Sequence, residues 1–135
     1  MENPNQSLPI DLEAACATHP VGRAFRLLGD LCTLLIVNAL MTGTRRFGEV
    51  LEAVGNVSPK TVSQRLKMLE EIGFVERRAF LEIPPRVEYS LTEKGRALVD
   101  IMEAIKQFGE RYLADIDASL PVATSPCPPV TITEK

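Results

Sequence analysis

The chain has 135 residues, of which 45% are hydrophobic, and a formal net charge of -3. This length suits one globular domain with some tail and excludes two full domains, and no apolar run reaches the ~20 residues of a membrane span. The negative total argues against a uniformly basic nucleic-acid binder, but between Arg45 and Arg96 ten Lys and Arg stand against eight Asp and Glu.

The two ends of the chain differ from its middle in composition. Residues 1–9 are polar and contain proline, and residues 119–135 are rich in proline with little apolar mass, so we expect both to be disordered. The domain itself is expected over residues 10–118, with a short helix between Ile10 and Ala17. No secretory signal is visible, and we therefore expect a cytoplasmic protein.

After the short helix at 10–17, three further helices are predicted between residues 20 and 55 from apolar residues at spacings of three and four, and they are counted here from the first of these three. The first is amphipathic and ends at Gly29, with its apolar side at Val21, Ala24, Phe25 and Leu28. The second, from Leu31 to Met41, has almost no polar face and is expected at the centre of the domain. The third ends at Gly55 and presents Phe47, Val50, Leu51 and Val54.

A fourth helix is predicted between Ser58 and Gly73, which reads S-P-K-T-V-S-Q-R-L-K-M-L-E-E-I-G. Ser58 can cap its N-terminus, Pro59 suits the first turn, and Gly73 suits the position after its end. One side carries an apolar stripe of Val62, Leu66, Leu69 and Ile72. Because only a short connection separates it from the third helix, the pair predicts a helix-turn-helix.

The other side of this helix is polar and is the candidate DNA-reading face. Gln64 and Arg65 are expected to point away from the apolar stripe and to contact base edges or phosphates. Lys67 either joins them or pairs with Glu71 four residues on. The full set of expected contacts on this helix is Ser58, Lys60, Thr61, Ser63, Gln64, Arg65 and Lys67.

Alternating residues from Phe74 to Leu81 and from Arg86 to Leu91, separated by Ile83-Pro84-Pro85, predict a two-stranded hairpin. A hairpin directly after a recognition helix is a wing. Arg86 is the favoured groove or phosphate contact, with Arg77 and Arg78 behind it, while Tyr89 is expected in the core. Before the third helix, Arg45 and Arg46 either touch the DNA backbone or form a solvated pair of cations.

A last long helix is predicted after Thr92, which can cap it. Its apolar residues follow steps of three and four, as in a heptad repeat. This seam predicts either a dimer contact or packing on the first helix of the same domain, and it comprises Leu98, Ile101, Ile105, Phe108 and Tyr112.

From Pro20 to Phe108 the sequence resembles the HxlR-type winged helix-turn-helix transcriptional regulators, above all in S-P-K-T-V-S-Q-R-L and P-P-R-V-E-Y-S-L-T. The resemblance implies a cytoplasmic bacterial or archaeal regulator that dimerises through its terminal helices and binds inverted-repeat operators. The expected fold is α+β and mainly helical: a winged helix-turn-helix with a two-stranded wing and a long C-terminal dimerisation helix.

The cysteines are relevant to the signal that such a regulator would sense. Cys16, Cys32 and Cys127 are odd in number and lack metal-ligand spacing, so we expect neither a disulfide framework nor a zinc site. Family members often have a cysteine where His19 stands, and in some it senses electrophiles or oxidants. Cys16 is therefore the candidate redox sensor. Leu31-Cys32 replaces a basic residue and Trp of the family, which either opens room for a small-molecule effector or is compensated by neighbours.

These observations favour a homodimeric, sequence-specific regulator of double-stranded DNA, expected to act as a repressor. His19, the only histidine, has no nucleophile and base to join, so we expect no enzyme, cofactor or metal. The alternative is a winged-helix protein-interaction module without specific DNA binding, which the acidic total would suit. Gln64 and Arg65 separate the two, because only a DNA reader needs them.

Overall fold

The computed structural model describes residues 20–116. The expected short helix at 10–17, the terminal segments expected to be disordered, and Cys16 all lie outside these residues. Within them the chain forms five helices and three strands: α1 (Pro20–Leu28), α2 (Leu31–Leu40), β1 (Arg45–Arg46), α3 (Phe47–Val54), α4 (Pro59–Glu71), β2 (Val75–Phe80), β3 (Arg86–Leu91) and α5 (Ala97–Tyr112).

A boundary between two compact units falls after Asp30, so α1 is described separately from the rest. As expected, α1 ends at Gly29, whose N–H donates to the Phe25 carbonyl at 2.8 Å. The second unit contains α2 to α5 and the sheet.

The core of the second unit is built around α2, as its apolar composition predicts. Cys32, Ile36, Val37 and Leu40 are each at most 2% exposed. α2 packs against α3, α4 and β3, and more weakly against α5. Burying one such aliphatic side chain contributes about 1.5–3 kcal/mol. The partners that close this core are Val50, Val54, Val62, Leu66, Leu69, Val75, Leu91 and Leu98.

The sheet has the order β1-β3-β2 and is antiparallel throughout. β2 and β3 are the predicted wing, paired from Val75 with Leu91 to Phe80 with Arg86. β1 was not predicted, because two adjacent arginines show no alternation that marks a strand. It forms because Arg45 and Arg46 pair with Tyr89 and Glu88 along the free edge of β3.

The start of α4 follows the sequence prediction. The Ser58 side chain accepts a hydrogen bond from the Thr61 N–H at 3.1 Å, and Pro59 occupies the first turn. After Glu71 the helix stops at Ile72, and Gly73 has a φ of 86°, a left-handed conformation that favours glycine.

The end of α4 is fastened to the segment that follows the wing, and we call these two segments, residues 72–74 and 92–95, the junction. The Thr92 N–H donates to the Phe74 carbonyl at 3.1 Å, and the Thr92 hydroxyl donates to the Gly73 carbonyl at 2.6 Å. The Lys94 ammonium donates to the Ile72 carbonyl at 2.9 Å. A Cβ on Gly95 would overlap the Phe74 carbonyl, so only glycine permits this approach.

The terminal helix starts later than expected. Thr92 was expected to cap it, but residues 93–96 form turns, and α5 begins at Ala97. Thr92 caps this turn instead, since its hydroxyl accepts a hydrogen bond from the Gly95 N–H at 3.0 Å. The same hydroxyl donates to the Gly73 carbonyl. Within residues 20–116, no helix combines the length and hydrophobicity needed to span a bilayer.

Candidate nucleic-acid interface

One side of α4 is polar and open to solvent. Gln64 and Lys67 are exposed, and Thr61 is half-buried at the capped N-terminus. The opposite side, formed by Val62, Leu66 and Leu69, is buried in the core. The exposed face therefore has the position that sequence analysis predicted, and its members are Ser58, Lys60, Ser63, Gln64 and Lys67.

Arg65 is the exception, and the prediction that it points away from the apolar stripe is wrong. Its side chain is 1% exposed, and it takes part in interactions within the fold. The reason lies in helical spacing: Arg65 is three residues from Val62 and four from Leu69, so it belongs to the stripe. The spacing signal was present, but the charge of the residue suggested the solvent side.

A surface cleft of about 390 Å³ lies between α4 and the wing. α4 contributes Ser63, Lys67 and Glu70 to it, β2 contributes Arg77, and β3 contributes Tyr89. Tyr89 was expected in the core; it is half-buried and lines this cleft instead. Two cations against one carboxylate make the cleft suitable for a single phosphate group.

The arginines before α3 differ from each other. The Arg45 guanidinium donates to the Ala39 carbonyl at 2.6 Å and to the Thr42 hydroxyl at 3.1 Å, so it satisfies the C-terminal end of α2. Arg46 is exposed, and its backbone N–H donates to the Glu49 carboxylate at 2.8 Å. Of the two, Arg46 has the side chain that reaches solvent.

Arg86, the favoured wing contact, is engaged by its own hairpin. Its Nη2 lies 3.1 Å from the Glu82 carboxylate. Its Nε lies 3.2 Å from that of Glu88, close enough for an ion pair but not aligned for a hydrogen bond. The guanidinium also lies 4.0 Å above the Phe80 ring centre. Arg86 is thus paired within its own hairpin, and its contact with DNA stays a prediction. Arg77, further down the hairpin, is exposed.

The predicted seam on α5 separates into two parts. Leu98 is 5% exposed and belongs to the core of its own protomer, so its assignment to a dimer surface is wrong. The others are exposed, from 39% at Ile101 to 60% at Tyr112. Together with two residues beyond the helix they form an apolar row, defined here as Ile101, Ile105, Phe108, Tyr112, Leu113 and Ile116.

The cysteine prediction also needs correction. Cys32 is buried, as expected for an apolar position, but it forms a disulfide, although no disulfide framework was predicted. Three cysteines can form at most one disulfide within a chain, and their spacing carries no signal of which two would pair. Among the described residues, no group of three or more metal-ligating side chains lies together.

A helix-turn-helix whose second helix presents a polar face, followed by a hairpin wing, defines a winged helix-turn-helix DNA-binding protein. Residues 27–117 match the HxlR-like helix-turn-helix family, and the chain belongs to this family. The resemblance noted from the motifs is thereby confirmed, as is the predicted fold class. The family consists of transcriptional regulators, not enzymes.

Similar proteins support this family assignment. An HTH-type transcriptional regulator of Synechocystis is 38% identical over 94 residues, which cover 70% of each chain. The HTH-type transcriptional regulator YodB of Bacillus subtilis is 39% identical over 66% of this chain and 80% of its own. The structure of reduced YodB superposes with a TM-score of 0.64 and 37% identity, covering 73% of this chain and 97% of that one.

The burial of Arg65 generates a prediction. Arg65→Ala removes a large, fully buried side chain and strands its partners, so it should lower the free energy of unfolding by about 3–5 kcal/mol. Gln64→Ala, at the next position but exposed, should change stability by less than about 0.5 kcal/mol. Urea denaturation followed by circular dichroism measures both. Equal midpoints for the two variants would show that Arg65 is not part of the core.

Proposed function

We propose that the chain is a homodimeric repressor that binds a specific inverted-repeat operator in double-stranded DNA, in the cytoplasm, with α4 in the major groove. The observation that carries this proposal is the exposed face of α4. The side chains of Gln64 and Lys67 make no hydrogen bond or ion pair to any described residue, so their polar groups are available to DNA. Amide side chains can pair with adenine through two hydrogen bonds, which is the chemistry of base recognition.

Phosphate contacts surround this face. Lys60 and Thr61 lie in the first turn of α4, where the helix dipole favours an anion. Lys67 and Arg77 line the cleft between helix and wing, which suits the next phosphate along the strand. Local cations decide such docking, because screening limits fields to about 8–10 Å at physiological salt.

A dimer is supported by the apolar row on α5. Six large apolar side chains, each at least 39% exposed, recur at intervals of one to four residues along the helix and its end. The rings of Phe108 and Tyr112 contact each other within the protomer, with centroids 5.3 Å apart and planes tilted by 49°. Monomeric proteins seldom expose a contiguous patch of this kind, and a two-fold axis through it would bury the row against its own copy. Two α4 helices would then read half-sites about 34–36 Å apart.

We also propose that thiol chemistry sets DNA affinity. YodB has been solved in a reduced form and after diamide treatment, and the redox regulator HypR in reduced and oxidised forms. In the present chain Cys32 lies in α2, the helix that contacts α3 and α4, and it is disulfide-bonded. An oxidant or electrophile is thus the expected effector, and Cys16 remains the candidate sensor.

The reading face is tested by titrating fluorescent operator DNA with protein across a salt series. Gln64→Ala should lose about 1–3 kcal/mol of affinity and relax discrimination at one base pair. Lys67→Ala should weaken binding to all sequences and reduce the salt slope by about 1. Lys106→Ala, an exposed helix lysine outside α4, is the matched control and should bind as the wild type does. Wild-type affinity in both α4 variants would favour the protein-interaction module.

The dimer is tested by placing charge on the apolar row. Ile105→Glu with Phe108→Glu should give a folded monomer in sedimentation velocity, since carboxylates cannot be buried against each other. Glu103→Gln, on the same helix but outside the row, should stay dimeric. A double variant that sediments as the wild type would contradict the assignment.

The redox proposal predicts different operator affinities for the reduced and diamide-treated protein, by about 5- to 150-fold, as for other coupled sites. Cys32→Ser should abolish the difference, and Cys16→Ser shows whether that thiol takes part. Identical affinities in both states of the wild type would rule out thiol control of binding.

A further inference from the structure

The tip of the wing, residues 81–85 between β2 and β3, is apolar and fully exposed. Leu81 and Ile83 are 105% and 101% exposed, and Pro84 and Pro85 are exposed beside them. Single exposed aliphatic residues are ordinary, but four apolar residues in a run of five at the outermost point of a hairpin form a patch. Nothing among the described residues covers it.

The charged side chains next to this tip form ion pairs with one another. Arg86 is held between Glu82 and Glu88 at 3.1 and 3.2 Å and lies over the Phe80 ring. Residues 80–88, the tip with its adjoining strand residues, contain one arginine and two carboxylates and have a net charge of -1. The tip therefore offers no free cation with which to bind a phosphate of the DNA backbone.

The hairpin has the length to reach the groove next to the one that α4 reads. β2 has six residues, and at about 3.3 Å per residue it extends about 20 Å from the junction, which fixes its base to the end of α4. Along B-DNA the adjacent minor groove lies half a helical turn, about 17 Å, from the major groove. This step rests on the proposed placement of α4.

The minor groove suits this chemistry. It is about 6 Å wide, and its A·T pairs present only acceptors on the floor, whereas guanine adds an amino group that obstructs it. Leucine, isoleucine and proline serve as apolar wedges in minor-groove binding proteins, and pyrimidine–purine steps open for them most easily.

We propose that Leu81 and Ile83 form an apolar minor-groove wedge that selects A·T-rich, deformable steps beside each half-site. The wing thereby reads sequence without pairing to phosphates. α4 then recognises base edges in the major groove through polar contacts, and the wing recognises the shape of the minor groove.

The protein side of the test uses the full-length chain. Leu81→Ser with Ile83→Ser should weaken operator binding about tenfold with an unchanged salt slope, because no phosphate contact is lost. Leu81→Val with Ile83→Val keeps the apolar surface and should retain most of the affinity. Both pairs are fully exposed, so thermal unfolding should be the same as in the wild type.

The DNA side replaces adenines beside each half-site with 2,6-diaminopurine, which adds an amino group in the minor groove and leaves the major-groove edge unchanged. The wild type should bind this operator about tenfold more weakly, whereas the serine variant should show no further loss. Full affinity in the serine variant, or an equal loss in both proteins, would overturn the wedge while leaving α4 as the reader. A wild type that distinguishes no operator at all would instead overturn the proposed function, and the wedge with it.

Discussion

The geometry of the DNA-binding surface depends on the junction between the end of α4 and the start of the terminal segment. There the Thr92 side chain and backbone and the Lys94 ammonium donate hydrogen bonds to the carbonyl groups of residues 72–74, directly after α4. Gly95 permits the close approach, and Gly73 permits the turn. Because β2 starts and β3 ends at this point, the junction fixes the base of the wing to the end of α4.

α4 shows how an acidic chain can bind DNA. Its buried side anchors the helix in the core through Val62, Leu66 and Leu69, and even Arg65 is used there. Its exposed side keeps Gln64 and unpaired cations. The excess of negative charge lies outside residues 45–96 in the sequence.

Much of the fold could be predicted from the sequence because local signals agree with it: the Ser58 cap, the apolar α2 and the hairpin alternation all match the structure. The prediction that Arg65 faces solvent is wrong because the charge of a residue does not reveal its tertiary surroundings. Arg65 is buried, and its burial is not visible in a linear sequence. Arg86 is paired with Glu82 and Glu88, which lie within four residues of it but whose side-chain contacts the sequence does not show. Leu98 shares the heptad spacing of the exposed row, yet its side chain is buried in the domain core.

The most direct test of the central claim, that the exposed face of α4 reads the major groove in a dimer, is methylation interference at guanine N7 on the operator. N7 lies in the major groove, so the account predicts two interfering clusters, about 10–10.5 base pairs apart or a multiple of this, on one face of the duplex. Uniform binding to methylated and unmethylated DNA would contradict it, since α4 would then not enter the major groove.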